Sequence, residues 1–279
     1  MKQNFPSLNR SSRSHALLAA PAFVTALLLA ACGSTPPADI GVTPVKSSAA
    51  LPYSMESWKE LPESCDRTLK SSEELCGNIS VNIARYATQP ALNRSIESQL
   101  LGMLDGGQNP FPSIKALRAA FLQSATPRDM LTLSAKPYRE TPALLVLELE
   151  TEEYSGGANG MYQTEYLNWS IPQQRALTLD DVLEPGAKPR FDTLLRTAFD
   201  NWMAAKNLSE TEYAEYVKTW PYQPSSIFAL DTDGVRILYP LYSIAPRSDG
   251  IPVFNLPYSA LDGILRPEYL PTPAARAAK

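Results

Sequence analysis

The residues of this chain that could do chemistry are concentrated in an acidic segment, Ala143 to Glu153, with the sequence ALLVLELETEE. Apolar and acidic residues alternate through it, and this predicts a β-strand whose far end has one polar, solvated face. Glu148, Glu150 and Glu152 fall on that face. The face is either merely solvated, or it attracts a cationic partner by its charge.

Paired carboxylates are also the catalytic groups of most glycoside hydrolases, which hold two carboxyl groups about 5–9.5 Å apart across a cleft. The sequence offers five carboxylates for such a role: Glu152, Glu153, Glu165, Asp180 and Asp181. Adjacent acids rarely flank a cleft, and Asp180 is more simply explained as the N-cap of a short helix. We therefore predict no catalytic residue, and keep a carboxylate-dependent carbohydrate-active enzyme as the alternative.

A glycine-rich loop, Ser155 to Gly160, follows the acidic segment. Its backbone N–H groups could cradle an anion, but it has neither the lysine nor the spacing of a phosphate-binding loop. A tight connection between strands explains the same residues, because glycine and asparagine accept positive φ. The candidate ligand-binding residues are the glutamates and this loop: Glu148, Glu150, Glu152, Glu153, Tyr154, Gly156, Gly157 and Asn159.

Histidine is nearly absent, since the chain contains one, His15, close to the N-terminus. A mature chain that has lost this segment cannot use Ser-His-Asp or Cys-His catalysis, or the usual zinc ligand sets. Asp231, Asp233 and Asp249 lack the spacing of an EF-hand calcium loop, and turn chemistry explains them better. We predict no metal and no cofactor.

The N-terminus has the pattern of a bacterial lipoprotein signal peptide. Three basic residues precede an apolar run from Ala16 to Ala31, which ends in Leu29-Ala30-Ala31-Cys32-Gly33. Cleavage before Cys32 and lipidation of its thiol are predicted. An ordinary secretory signal or a membrane span is the alternative, but the run is short for a span of about 20 residues. With glycine after the cysteine, we expect an outer-membrane anchor in a cell with two membranes.

Processing changes the charge and the cysteine count. The net charge of −4 becomes −7, because only three basic residues are lost. An acidic chain of this kind is not a nucleic-acid binder and suits a cationic partner. Cys65 and Cys76 remain, and in an exported protein this pair favours a disulfide over two free thiols.

The rest of the pattern predicts an α+β fold with mixed or antiparallel sheets and helices on one side. Asn78 to Tyr86 alternates as a strand, while Leu92, Ile96 and Leu100 form the apolar stripe of a helix that begins at Pro90. A second helix is expected from Ser113, and the clearest helix spans Phe191 to Lys206. Ser209 and Glu212 form a capping box for a further helix.

The stretch from Ser226 to Leu261 predicts a hairpin, a connecting arm and a third strand. Asp233-Gly234 is a tight-turn dipeptide between two apolar runs, and the prolines of this stretch exclude a long helix. We expect earlier strands to pair with it. The predicted organisation is a signal peptide, a flexible tether, a smaller α+β subdomain, a larger subdomain and a disordered tail, at 1–31, 32–57, 58–140, 141–270 and 271–279.

Two motifs resemble the RsiV/PdaC-type extracytoplasmic domain family. The first is Tyr154-Ser-Gly-Gly-Ala-Asn159-Gly, followed by Leu177-Thr-Leu-Asp-Asp-Val-Leu183. The second is Gly234-Val235 before an apolar strand, then Tyr242-Ser-Ile-Ala-Pro-Arg-Ser-Asp-Gly-Ile-Pro-Val-Phe and Pro257-Tyr-Ser-Ala-Leu261. Family members have histidine where this chain has Asn159, so any role of a titratable imidazole there is lost. The resemblance covers roughly Gly77 to Tyr269.

This resemblance implies a larger C-terminal half of the RsiV type, at 141–270, and a binding role. Domains of this type are known for lysozyme binding, which agrees with the acidic face. The expected function is therefore that of an envelope-anchored lipoprotein that binds a cationic protein such as lysozyme, or a peptidoglycan fragment, without catalysis. The aromatic residues Tyr154, Tyr162, Tyr166, Trp169 and Tyr222 could line a glycan groove, but most are better explained as core.

Overall fold

The structure, a computed structural model of the chain, describes residues 51–66, 68, 76–107 and 110–271. All of them belong to one compact unit that runs from Val45 to Lys279. The predicted signal peptide, Cys32 and most of the tether lie outside the described residues, as does the tail after Pro271. The described part contains no helix that is both long and apolar enough to span a membrane.

Six strands form the larger sheet, in the order of the sequence. They are β1 Ser54–Glu60, β2 Asn78–Arg85, β3 Met130–Glu140, β4 Leu144–Tyr154, β5 Met161–Ser170 and β6 Arg175–Ala176. β2 and β3 are parallel, whereas the other neighbours are antiparallel. Parallel neighbours require a long crossover, and the crossover here contains both helices of the N-terminal part.

These two helices, α1 (Pro90–Met103) and α2 (Ile114–Ser124), cover one face of the sheet. The predicted stripe is confirmed, because Leu92, Ile96 and Leu100 are fully buried in a cluster with the apolar face of β2, β3 and β4. Ser113 begins α2 as expected, and its side-chain oxygen accepts the N–H of Ala116. A helix cap of this kind satisfies a backbone donor that has no partner within the helix.

The opposite face of the sheet is covered at one end by the C-terminal part. This part contains α3 Leu179–Val182, α4 Lys188–Ala204 and α5 Glu210–Thr219, and a second sheet of β7 Phe228–Leu230, β8 Gly234–Leu238 and β9 Val253–Pro257. Its core joins the buried residues of α4 and of this sheet to Leu144 and Val146 of β4. β4 therefore has two apolar faces near its start, one for each core, as its sequence predicts.

The hairpin around Asp233-Gly234 and the third strand are confirmed, but the expected pairing with earlier strands is wrong. β7, β8 and β9 pair only with each other among the described strands. Side chains connect this sheet to the larger one instead: Arg139 of β3 donates to the carbonyl of Leu230 at 2.7 Å, and a further connection is the buried side chain of Asn168 in β5. Its amide donates to the carbonyl of Phe228 at 2.7 Å and accepts the N–H of Leu230 at 3.0 Å. These side-chain hydrogen bonds thus replace a strand-to-strand ladder at this junction.

The helix that precedes α4 corrects one assignment. Asp180 is not its N-cap, since Thr178 occupies that position and accepts the backbone N–H of Asp181. Asp181 completes a capping box by accepting the N–H of Thr178 at 2.8 Å. A hydroxyl followed three residues later by a carboxylate makes this reciprocal pair, so the cap is two residues earlier than expected. The capping box of α5, from Ser209 and Glu212, is confirmed.

Two boundaries are also informative. Ser54 to Ser57, the end of the predicted tether, form part of β1. The subdomain boundary after residue 140 falls in the turn between β3 and β4, so the larger sheet contains strands from both predicted subdomains.

Cys65 and Cys76 are joined by a disulfide with their Cα atoms 5.7 Å apart, and this bond closes the connection from β1 to β2. The α+β class, with a mixed and an antiparallel sheet, is confirmed.

Candidate binding face

Polar side chains fill the part of the larger sheet that the C-terminal part leaves open. Strand register aligns them in two rows that cross five strands, because partner residues in a ladder share a face. One row is Ser57, Asn82, Ser134, Glu150 and Thr164, and the other is Lys59, Ser80, Thr132, Glu152 and Tyr162. We call these two rows, with Lys136 and Glu148 beside them, the open face.

Hydroxyl and amide groups dominate the middle of the open face. The hydroxyl of Ser57 donates to the side-chain oxygen of Asn82 at 2.6 Å, and Ser80 and Thr132 are 3.1 Å apart through their hydroxyls. Ser134 lies between Asn82 and Glu150 and is 6% exposed, and its hydroxyl has no hydrogen-bond partner within the described part of the chain. A buried hydroxyl without a partner is costly, so this position favours a ligand or a bound solvent molecule.

The three glutamates of β4 are on the open face, as predicted. The Lys136 ammonium is 3.5 Å from the Glu150 carboxylate, whose side chain is 45% exposed. Glu148 accepts the hydroxyl of Tyr166 at 3.3 Å. A hydrogen bond to Glu152, and the negative charge of that carboxylate, raise the pKa of Tyr162. Tyrosine hydroxyls carry no positive charge, so the positive charge near these acids comes from Lys136, which pairs with Glu150, and from Lys59 in the row of Glu152.

The glycine-rich loop lies beyond the end of the glutamate row. Gly156 and Gly157 have φ of +93° and +100°, a region that L-residues rarely adopt, although their Cα positions have open space around them. The hydroxyl of Tyr154 donates to the carbonyl of Gly157 at 2.8 Å, so this tyrosine holds the loop closed. Both glycines are therefore explained by the turn itself.

A cavity of about 440 Å³ lies under this loop. Its walls bring together three predicted residues, Glu153, Gly156 and Asn159, with Tyr162 of β5 and with Leu241 of the arm that follows β8. Glu153 faces away from the open face, because neighbours on a strand point to opposite sides. The eight predicted ligand-binding residues thus divide between the open face, which takes three glutamates, and the loop with its cavity.

The arm between β8 and β9 is fastened to this loop. Arg247 donates from Nη1 to the carbonyl of Gly160 at 2.8 Å, and its guanidinium lies 5.5 Å from the ring centroid of Tyr162. Two further aromatic side chains, Tyr242 and Trp220, stack nearby in the C-terminal part, with Tyr242 44% exposed. The two motifs that resembled a known domain family, at Tyr154–Gly160 and Tyr242–Phe254, therefore meet in space.

The carboxylates considered for catalysis do not form a pair. Glu165 faces the helices and accepts the amide of Gln99 at 2.7 Å. Asp181 binds both guanidinium nitrogens of Arg175, at 2.9 and 2.8 Å, and these hydrogen bonds together with those from Thr178 hold its pKa well below the usual value. Asp180 is exposed on the surface of the short helix. Glu152 and Glu153 point to opposite faces of β4.

The aspartates considered for calcium are likewise explained by other contacts. Asp231 accepts the hydroxyl of Tyr138 at 2.6 Å, whereas Asp249 accepts from Lys206 at 2.6 Å and from Tyr216 at 2.8 Å. Within the described residues, no group of three or more histidine, cysteine or acidic side chains is placed to hold a metal ion.

Among the aromatic residues proposed for a glycan groove, Tyr166 and Trp169 are buried and Tyr162 is exposed.

The hydroxyl and amide rows were not predicted from the sequence. The alternation from Asn78 to Tyr86 predicted a strand, but no signal identified β1 and β3 as its neighbours. A short-range pattern gives the faces of single strands, and it does not give the register between strands distant in sequence. The signal that could have located the open face is the run of small polar residues on alternate positions of β2 and β3.

Comparison with known proteins gives one family match and several structural matches. The family model described as "Protein of unknown function (DUF3298)" matches residues 180–259. A DUF3298 family protein from Pseudomonas aeruginosa PAO1 has a similar structure, with a TM-score of 0.70 and 31% identity, over 80% of this chain and 98% of that one. A search of curated proteins finds no match.

A second solved structure supports the fold at lower identity. It is a member of the same family from Bacteroides fragilis NCTC 9343, with a TM-score of 0.61 and 23% identity, over 79% of this chain and 96% of that one. Neither the family description nor these structures indicate a catalytic family. Because it aligns with nearly the whole Pseudomonas protein at 31% identity, the chain belongs to the DUF3298 family.

Proposed function

We propose that this protein is an envelope-anchored lipoprotein of the RsiV-like type that binds a cationic protein, without catalysis, through the open face. The observation that carries the proposal is the row of Glu148, Glu150 and Glu152 on an accessible part of the sheet. Lysozyme is the partner we favour, since RsiV-type domains are known to bind it and the motifs of this chain resemble theirs. A cell-wall fragment is the second ligand to test.

The geometry of the glutamate row suits recognition of basic side chains. Same-face residues on a strand are about 7 Å apart, so the row presents three carboxylates over about 14 Å. Lys136 pairs with Glu150, and Lys59 lies on the same face, so the open face has three carboxylates against two ammonium groups. Hydroxyl and amide groups beside the row can donate and accept hydrogen bonds with a polar partner surface. Charge of this kind mainly speeds association and sets specificity, and salt weakens it.

The first test is calorimetric titration of the purified chain with hen lysozyme at two ionic strengths. We expect micromolar or tighter binding that weakens as salt rises from about 50 to 200 mM, a range over which the screening length falls from roughly 14 to 7 Å. Exposed ion pairs contribute about 0.5–1 kcal/mol each. Replacing Glu148, Glu150 and Glu152 by glutamine should therefore weaken binding about 10- to 150-fold.

A matched control separates this face from net charge. Glu63, Glu215 and Glu268 are exposed and lie outside the open face, so their triple glutamine variant removes the same charge elsewhere. The control should bind within about threefold of the wild type, because distant surface charges are largely screened. Equal losses in both variants would assign the effect to net charge. If the protein binds neither lysozyme nor peptidoglycan fragments, the proposal is refuted.

Lipidation is tested separately. Metabolic labelling with a fatty-acid analogue should label the wild-type protein, and Cys32→Ser should remove both the label and membrane association. Cys65→Ser serves as the control, because that cysteine belongs to the disulfide and should not affect labelling. Labelling that persists in Cys32→Ser would refute the anchor without affecting the binding proposal.

A further inference from the structure

A second recess lies on the other side of the larger sheet, under the N-terminal end of α1. It is a groove of about 520 Å³, between α1 and the last strands of the sheet. Arg94 and Ser98 contribute from α1, Leu167 and Trp169 from β5, and Arg175 from β6. Leu167 and Trp169 belong to the core cluster under the helices. The groove is therefore on the face opposite to the open face and shares no residue with it.

The groove is cationic, although the protein as a whole is acidic. Arg94 is exposed and makes no ion pair within the part of the chain that the structure describes. Arg175 is paired with Asp181 through both terminal nitrogens, so Arg94 supplies the uncompensated charge. Ser95, Ser98 and Gln174 add side chains that can donate hydrogen bonds to an anion, whereas the amide of Gln99 already donates to Glu165.

The start of α1 adds to this character. α1 has 14 residues, no acidic residue in its first turn, and no side-chain hydrogen bond from its N-cap, Gln89. The first N–H groups of a helix have no partner within it and carry a partial positive charge, although Pro90, the first residue of α1, contributes no N–H. Ala91, in this first turn, forms part of the groove wall. An anion in the groove would therefore meet both a helix N-terminus and a guanidinium group.

Trp169 provides an independent indication of a ligand. Its side chain is 1% exposed and forms part of the groove wall, and its indole Nε1–H has no hydrogen-bond partner among the residues that the structure describes. Native structures rarely leave a buried donor unsatisfied, because this costs about 1–3 kcal/mol. An acceptor atom bound in the groove would satisfy this donor. The indole and Leu167 also offer an apolar floor for the body of such a ligand.

We propose that this groove binds a small anionic molecule, with a carboxylate or phosphate group that contacts Arg94 and the N-terminus of α1 and accepts the indole N–H of Trp169. A volume of about 520 Å³ leaves room for an apolar or sugar-like body beside the anion. This site extends the binding role proposed above, since it would recognise a ligand of opposite charge on the opposite face. Its existence does not depend on lysozyme binding.

The indole N–H resonances of the full chain, labelled with ¹⁵N, give a direct test. The chain has four tryptophans, so four such signals are expected. Variants Trp58→Phe, Trp202→Phe and Trp220→Phe each remove one signal, which identifies that of Trp169 without changing it. Inorganic phosphate and acetate are the two probes, each added at constant ionic strength against chloride. The probe that binds with the higher affinity indicates whether the ligand carries a phosphate or a carboxylate group.

We expect the Trp169 signal to move in a saturable way, while the other three signals move little. Arg94→Gln should weaken the apparent affinity about tenfold, the effect of losing one charge-assisted hydrogen bond. Lys115→Gln removes one exposed positive charge from α2, outside the groove, and should leave the affinity unchanged. The anion site is refuted if neither probe moves the Trp169 signal in a saturable way. It is also refuted if Arg94→Gln and Lys115→Gln weaken the apparent affinity for the probe equally.

Discussion

Replacing Asn168 by alanine should lower the stability of the protein, because it removes two hydrogen bonds that attach the smaller sheet to the larger one. The Asn168 side chain is 1% exposed, and its amide holds the carbonyl of Phe228 and the N–H of Leu230. Alanine leaves both backbone groups buried without partners, and each unsatisfied group costs about 1–3 kcal/mol. We therefore expect a loss of about 2–6 kcal/mol in the free energy of unfolding. For a unit of this size, that corresponds to a melting temperature lower by roughly 4–24 °C.

Urea and thermal unfolding by circular dichroism measure the loss, and amide exchange at Leu230 locates it. The matched control is Asn255→Ala, because Asn255 is an exposed asparagine in β9 and its substitution should change stability by less than about 0.5 kcal/mol. If Asn168→Ala is as stable as this control, with unchanged exchange at Leu230, the side chain does not join the sheets and the reasoning fails.

Asn168→Asp refines the test, because it keeps the size of the side chain and removes only the donor. The ionised carboxylate would face the carbonyl of Phe228 in a buried position, which raises the pKa of the new acid. A group whose pKa is higher in the folded than in the unfolded state favours folding when it is protonated. The destabilisation should therefore shrink as pH falls from 7 towards 4. A pH-independent loss would contradict this account.

Three further predictions concern stability. Gly234→Ala would place a Cβ 2.1 Å from the carbonyl oxygen of Leu256, so we expect a loss of about 2–3 kcal/mol in thermal unfolding, whereas Gly102→Ala, with open space around it, should be neutral or stabilising. Cys65→Ser should cost about 2.7 kcal/mol, the value for a closed loop of this length, and should remove the effect of reductant on the melting temperature. Asp181→Asn should destabilise the protein at neutral pH, because the depressed pKa of Asp181 stabilises the fold above the ordinary carboxyl pKa. The loss should start to shrink below that ordinary pKa and vanish only as pH approaches the much lower folded-state pKa, so a loss that stays constant on acidification would contradict it.

The sequence was sufficient where the pattern is local. The stripe Leu92, Ile96 and Leu100 predicted α1, and the alternation in Ala143 to Glu153 predicted both faces of β4, because burial repeats at 3.6 residues in a helix and at two in a strand. The disulfide partners were predicted by counting. In each case a few adjacent residues determine the outcome.

The sequence was insufficient where distant residues decide. Asn168 looks like one more polar residue in a strand, and only its position between two sheets makes it a substitute for backbone pairing. Three of the four residues from Ser54 to Ser57 are polar, and the segment belongs to β1 because β2 offers an edge to pair with. For the same reason, the glutamates of the open face were predicted, while the hydroxyl row beside them was not.

The disulfide at the end of β1 has a consequence for proteolysis. It joins Cys65, just after β1, to Cys76, just before β2, so the peptide bonds between them are not the sole link between these strands. A protease that cuts once in this interval would leave both fragments covalently joined. Whatever is attached upstream of β1, including the lipid predicted at Cys32, would stay connected to the rest of the protein. Such a nicked chain would migrate as one band on a non-reducing gel and as two bands after reduction.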